Sequence, residues 1–256
     1  MTQKVAVITG SYKGLGYALA TATPSGSIAR QLAQQEDIRV VLTSRQEQDG
    51  LAAQKRLSSE NIQVDFHALD VTSDISVQQF TTWLQQTYGK VDILVNNAGV
   101  NPTMQPEESS LLTVQMETML ATLTTNVLAV ARITQALMPL MKAQNYGRIV
   151  NVSTEMASIS SMGSDYYPLA PSYRLSKVGL NGLTALWAKE LQGSNILVNA
   201  YSPGWMQTDM GGSNAPFTAD EGAETAVYLA TLPEGGVQGQ FFAEMRKFGG
   251  AVALPW

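Results

Sequence analysis

Tyr173 and Lys177 stand four residues apart in a stretch, 172–191, whose apolar residues recur with helical spacing. Both side chains therefore rise from one face of a helix. A phenol beside an ammonium is a proton donor whose strength can be adjusted. A free tyrosine titrates near pH ~10, poorly matched to neutral solution, and a neighbouring cation stabilises the phenolate, drawing its pKa down by roughly 1–3. Such a pair suits a reaction that leaves negative charge on an oxygen, as hydride delivery to a carbonyl carbon does. Taken alone it also fits a solvated face of an amphipathic helix. Ser153, ending the strand-like run before it, offers a hydroxyl to orient a substrate oxygen. Asn126 places an amide inside the helical stretch before that, where a polar residue is often merely tolerated.

A second group of residues suits a phosphate. Glycines at 10, 14 and 16 follow a β-branched run directly, in Gly10, Ser11, Tyr12, Lys13, Gly14, Leu15, Gly16. Without Cβ atoms they permit a tight turn and let a pyrophosphate approach backbone amides at a helix start, although an ordinary strand-to-helix connection has the same composition. The next strand ends in Ser44 and Arg45, with no Asp or Glu of the kind that holds the ribose 2′-hydroxyl of NAD. A guanidinium binds a 2′-phosphate bidentately and stacks beside adenine, and Lys13 adds a second positive charge. Either cation alone would pass for a solvated surface charge. Together they predict NADPH/NADP+ over NADH.

These residues need elements to position them. Runs at 5–9, 40–43, 64–69, 93–95, 149–152 and 196–200 read as strands buried on both faces. Helical spacing marks 28–35, 47–59, 76–88, 111–143, 172–191 and 220–232, with a last strand near 240–243. Such alternation predicts an α/β fold, a Rossmann-like doubly wound parallel sheet of about seven strands with helices on both faces. No repeat or linker divides the chain, so 1–256 is expected to be a single domain with a substrate loop around 205–220. Ligands of such sheets lie outside the carboxyl ends of the strands, and every strand here is followed by small, polar or glycine-rich residues.

Composition narrows the classes. The chain has 256 residues, 45% apolar and 14% charged, with a net charge of −5 and no cysteine. Disulfides and thiol chemistry are excluded, no basic stripe exists for nucleic acid, and no cluster has metal-ligand spacing. The N-terminal apolar run is too short for a signal peptide, and the apolar region around 111–141 carries Glu117, Asn126 and Arg132, which a membrane span would not hold. A cytoplasmic enzyme acting on a small molecule is expected. His67, the one histidine, sits in a strand and reads as structural.

The loop from Thr9 to Gly16, the run Asn96, Asn97, Ala98, Gly99, then Asn126, Ser153, Tyr173 with Lys177, and Pro203 with Gly204 resemble the short-chain dehydrogenase/reductase family in order and over the whole chain. The stretches 203–210 and 221–230 resemble its carbonyl reductases. The resemblance implies that Lys177 also holds the nicotinamide ribose and that Asn126 holds a water relaying protons through the lysine. It implies further that Thr208 binds the nicotinamide carboxamide, that Asp70 with Val71 meets adenine, and that Asn97, Ala98 and Gly99 support the adenosine half. Asp70 could instead cap a turn and the asparagines close a loop. Met156, Trp205 and Met210, with Ser153, are the candidate substrate contacts. Since 205–210 lacks a cation to clamp an anion, an uncharged carbonyl compound is expected. An alcohol or sugar-alcohol dehydrogenase and a catalytically silent NADP sensor are the alternatives. Residues 19–27, with Pro24 and Gly26, depart from the family as an insertion after the glycine loop. A dimer or tetramer built through 111–143 and 172–191 is expected.

Overall fold

The computed structural model describes residues 3–16 and 28–256; the insertion expected at 19–27 lies outside them. Seven strands form one sheet: β1 (Lys4–Ile8), β2 (Ile38–Ser44), β3 (Asp65–Ala68), β4 (Ile93–Asn96), β5 (Gly147–Val152), β6 (Ile196–Tyr201) and β7 (Phe241–Phe242). Their order is β3-β2-β1-β4-β5-β6-β7 and every neighbouring pair is parallel. The chain winds outward from β1 in one direction and from β4 in the other. The crevice between the ends of β1 and β4 is thus where a dinucleotide-sized ligand has room.

Eight α-helices are described: α1 (Ile28–Ala33), α2 (Glu47–Ser59), α3 (Asp74–Thr87), α4 (Met116–Leu123), α5 (Ala129–Lys142), α6 (Pro171–Glu190), α7 (Ala219–Ala230) and α8 (Met245–Phe248). Strand residues alternate between two cores. Ala6 and Ile8 pack with Ile28, Leu32, Leu57 and Ala226 of α1, α2 and α7, whereas Val5 and Val7 pack with Phe80, Leu84, Leu137 and Leu180 of α3, α5 and α6. Apolar residues on both faces are what a strand covered twice requires. Among the described residues no helix is long and apolar enough to cross a membrane.

One expected element is divided. Instead of a continuous helix over 111–143, α4 starts at Met116, and a π-turn, Thr124–Leu128, separates it from α5. The extra residue of a π-turn rotates everything after it by about one residue's arc, and such turns collect at functional sites. Here it allows Asn126 and the apolar face of α5, with Ile133 and Leu137, to be buried together. Hydrophobic spacing survives a one-residue insertion well enough to hide it from the sequence.

Candidate active site

The glycine loop leaves β1 through Gly10, whose φ of +60° suits glycine, and a Cβ there would press on Ala98 at 3.0 Å. Gly14 also has a positive φ, +61°, and among the described residues nothing lies within 4 Å of where a side chain would project. Backbone at the loop's crest is therefore open to a ligand. The rest of the loop is tied down. Ser11 is fully buried, its Oγ donating to the Ile8 carbonyl at 2.8 Å and accepting from Thr43 N at 2.9 Å. Leu15 lies in the core and Tyr12 packs on it. The Ser11 hydroxyl thus belongs to the frame, as does its N–H, which donates to the Thr43 carbonyl at 2.9 Å. Asn97 Nδ2 donates to the carbonyls of Thr9 and Gly10 at 2.9 and 3.0 Å, and Asn97 N and Ala98 N share Thr9 Oγ1. The asparagine run locks the glycine loop to the end of β4.

At the end of β2, Ser44 is buried with its hydroxyl on the Gln46 carbonyl, while Arg45 is exposed. The arginine, not the serine, faces solvent. Lys13 Nζ lies 3.2 Å from Asp209 Oδ2, so the second expected cation reaches across to the loop after β6. Asp70 Oδ1 accepts from Thr72 N and Oγ1 at 2.9 and 2.6 Å. Those bonds and the nearby Arg45 and Arg132 hold its carboxyl below the usual range, against the pull of burial. The turn-capping reading of Asp70 thus describes one oxygen and leaves the other available. The Val71 side chain is buried in the core, so only its backbone can meet a ligand.

Helix α6 carries Tyr173 and Lys177. Its N-cap residue, Ala170, is left-handed (φ 38°) and has no side chain to cap with. The cap comes from Glu108, in a short turn after β4. This buried carboxylate accepts from Ser172 N at 3.0 Å and Ser172 Oγ at 2.6 Å. Glu108 was not legible in the sequence, because its partner lies 64 residues away. Lys177 Nζ donates to the Val152 carbonyl at 2.7 Å and lies 5.8 Å from the Tyr173 ring centre. Burial pushes the Tyr173 phenol up to about 12 and the Lys177 ammonium down to about 8. Desolvation disfavours the charged form of each group and so drives the two shifts in opposite directions.

Asn126 is fully buried. Its Oδ1 accepts from Val100 N, and its Nδ2 donates to the Val100 carbonyl and to Ser176 Oγ, each at 2.9 Å. The amide pins residue 100 to α6, and both its protons are committed. Gly99 passes close above: a Cβ there would meet Asn126 Oδ1 at 3.2 Å and Lys177 Nζ at 3.7 Å.

The Ser153 hydroxyl is engaged by α6. The residue is 2% exposed and gives its proton to Asn181 Oδ1 at 2.7 Å, one turn below Lys177 on α6. Neighbouring residues of an extended chain point to opposite sides, and the part-exposed one here is Thr154. Thr154 Oγ1 accepts from Met156 N at 3.3 Å, and its own proton is left to give. The Ser153 hydroxyl, expected to contact substrate, is thus engaged by Asn181, while the part-exposed hydroxyl beside it is that of Thr154.

Around the crevice mouth, Gly204 follows the buried Pro203 with φ +78°. Thr208 is part-exposed, its Oγ1 accepting from Gly211 N at 3.2 Å. Trp205 and Met210 are exposed, and Trp205 Nε1 donates to the Gly211 carbonyl at 2.7 Å. Met156 is part-buried. His67 packs on Trp83 at 4.8 Å between ring centres.

An open sheet whose crevice gathers a glycine loop, an exposed arginine and a tyrosine–lysine pair defines a nucleotide-dependent oxidoreductase. The profile of the family described as short chain dehydrogenase matches residues 4–218, and the chain belongs to that family. It is 32% identical over 297 aligned positions to the NADPH carbonyl reductase 1 of Sus scrofa, covering 99% of this chain and 97% of that one. Among solved structures, salutaridine reductase of Papaver somniferum is 27% identical with a TM-score of 0.79, over 93% of this chain and 99% of that one. A carbonyl reductase from chicken fatty liver with NADPH bound shares the fold over 100% of both chains, with a TM-score of 0.82 and 24% identity.

Proposed function

We propose that this chain reduces an uncharged aldehyde or ketone to an alcohol with NADPH, Tyr173 supplying the proton. The observation that carries the reading is Tyr173, beside a lysine fixed by the Val152 carbonyl. The chain is an enzyme of the short chain dehydrogenase family and its cofactor is NADPH. The residues fit that group: open backbone at Gly14, an exposed Arg45 following β2 where NAD-specific sheets carry an acid, and Gly99 passing close to Lys177. Ser11, Tyr12, Leu15 and Gly16 frame the pyrophosphate end, Arg45 and Lys13 the 2′-phosphate, Asp70 and Val71 the adenine, and Pro203, Gly204 and Thr208 the nicotinamide.

Bound NADPH supplies the hydride that reaches the carbonyl carbon. Tyr173 gives its phenolic proton to the carbonyl oxygen as negative charge builds there, and takes another from solvent afterwards. Lys177, once charged, stabilises the phenolate left behind. Thr154 donates to the same oxygen and orients it, the part the sequence assigned to Ser153. Asn126 holds the backbone at Val100 against Ser176. The water-relay role the family implies for it would fall to the remaining lone pair of Oδ1.

Lys13 is paired with Asp209 and Lys247 with Glu155, while Trp205 and Met210 are apolar and exposed. A pocket so lined favours aryl- or alkyl-bearing carbonyls over anions. NADPH oxidation assayed with aldehydes, ketones, diketones and quinones, each beside a carboxylated analogue, tests the reading. Turnover of the neutral compounds is expected, and Thr154→Val should lower kcat by about 10²-fold. Turnover of none would make the chain a cofactor-binding sensor, and faster oxidation of alcohols at neutral pH would make it a dehydrogenase.

A further inference from the structure

Tyr173, Lys177, Asn181 and Thr184 follow one another on α6 at spacings of four, four and three, and so share a face. The end of β5 lies opposite and meets that face with three hydrogen bonds. Asn151 Nδ2 donates to Thr184 Oγ1 at 2.8 Å, Ser153 Oγ donates to Asn181 Oδ1 at 2.7 Å, and the Val152 carbonyl takes the Lys177 ammonium at 2.7 Å. Asn96 of β4 extends the seam, donating to Asn151 Oδ1 at 2.8 Å. Asn151 and Ser153 stand two apart on one side of the strand, so helix and strand run antiparallel past each other in a fixed register. All four donors and acceptors of the two side-chain pairs are shut off from solvent.

We infer that Asn181 is a positioning residue, acting through Ser153 to set the height of Lys177 and Tyr173 above the cleft. This rests on the carbonyl-reductase reading. Asn181 is a poor choice for stability alone: its Nδ2 is buried without a partner among the described residues. Apolar residues of similar shape at 153 and 181 would fill the space without stranding a donor. What the amide adds is direction. A slip of one residue along α6 moves the tyrosine by about 1.5 Å, and a misplacement of about 1 Å at a reacting group can cost on the order of 10²-fold in rate. The seam makes such a slip break several buried bonds together. Ser153 accordingly serves the helix and not the substrate.

A double-mutant cycle on the full chain tests this, with Asn181→Ala, Ser153→Ala and both together. The measurements are kcat and KM for a neutral carbonyl, and NADPH affinity from fluorescence. Each single change is expected to lower kcat about tenfold, with NADPH affinity within threefold. The double change should cost little more than either alone, as for two ends of one bond. Ser153→Thr, which keeps the hydroxyl, should restore kcat to within threefold of the unaltered chain. Effects that multiply, or Asn181→Ala with kcat within twofold, overturn the proposal. So does Ser153→Ala costing 10²-fold while Asn181→Ala costs little, because Ser153 would then touch substrate itself. Where Ala at 181 prevents folding, Asn181→Asp keeps the acceptor and should hold kcat within threefold; a tenfold loss there contradicts the pairing. Absence of turnover in the unaltered chain would fail the functional reading instead, which separates the two.

Discussion

The Lys177 ammonium donates to the carbonyl oxygen of Val152 at 2.7 Å, so the lysine is held by the strand beneath it and not by the tyrosine beside it. Burial brings its pKa down to about 8, and it must be charged to stabilise a phenolate. In the free enzyme kcat/KM should therefore hold below pH about 8 and fall as pH rises through it. Tyr173, pushed up to about 12, stays protonated across that range and does not limit. Lys177→Arg, which cannot lose its proton, should move the alkaline limb upward even though overall activity drops. A limb that stays in place in the arginine variant would assign it to another group.

The cofactor preference is expected to reside in Arg45. Charge-assisted hydrogen bonds contribute about 1.5–3 kcal/mol, so Arg45→Asp should shift preference toward NADH by at least about tenfold. Steady-state constants for both cofactors check this. Equal use of NADH by the unaltered chain would mean that the end of β2 does not read the 2′-phosphate.

Asp209, 3.2 Å from Lys13, is expected to compete with a 2′-phosphate for it. Exposed ion pairs are worth roughly 0.2–1 kcal/mol. Asp209→Asn should then tighten 2′-AMP binding by up to about fivefold and leave 5′-AMP unchanged, as read by calorimetry. Weaker 2′-AMP binding in that variant would show that the aspartate supports Lys13 instead.

Met116 and Leu120 on α4 and Leu175 and Leu186 on α6 are exposed. We expect these helices to join copies of the chain into a dimer or tetramer. Light scattering across a range of concentrations checks it, and a monomer mass throughout contradicts it.

Fold and family were legible because they rest on local signals. The boundaries expected for the catalytic helix, 172–191, lie one residue from Pro171–Glu190. The four-residue spacing of Tyr173 and Lys177 is itself enough to place both on one face. What depends on distant partners was not legible. Whether Ser153 or Thr154 faces the cleft turns on Asn181, 28 residues on, and nothing near residue 153 reports it. The buried Ser11 hydroxyl is bound to Ile8 and Thr43, and only the pairing of β1 with β2 brings Thr43 there. The π-turn at Asn126 escaped notice because apolar spacing tolerates one extra residue, and the Glu108 cap because a glutamate in a loop reads as solvated.

Replacing Tyr173 by Phe tests the central claim most directly. The change removes the phenolic proton and leaves the glycine loop, Arg45 and the Lys177–Val152 bond untouched. Folded Tyr173→Phe protein should bind NADPH with unaltered affinity by fluorescence and lose roughly 10²–10⁴-fold in kcat toward a neutral carbonyl. Turnover within a few-fold of the unaltered chain, with NADPH bound, would contradict it.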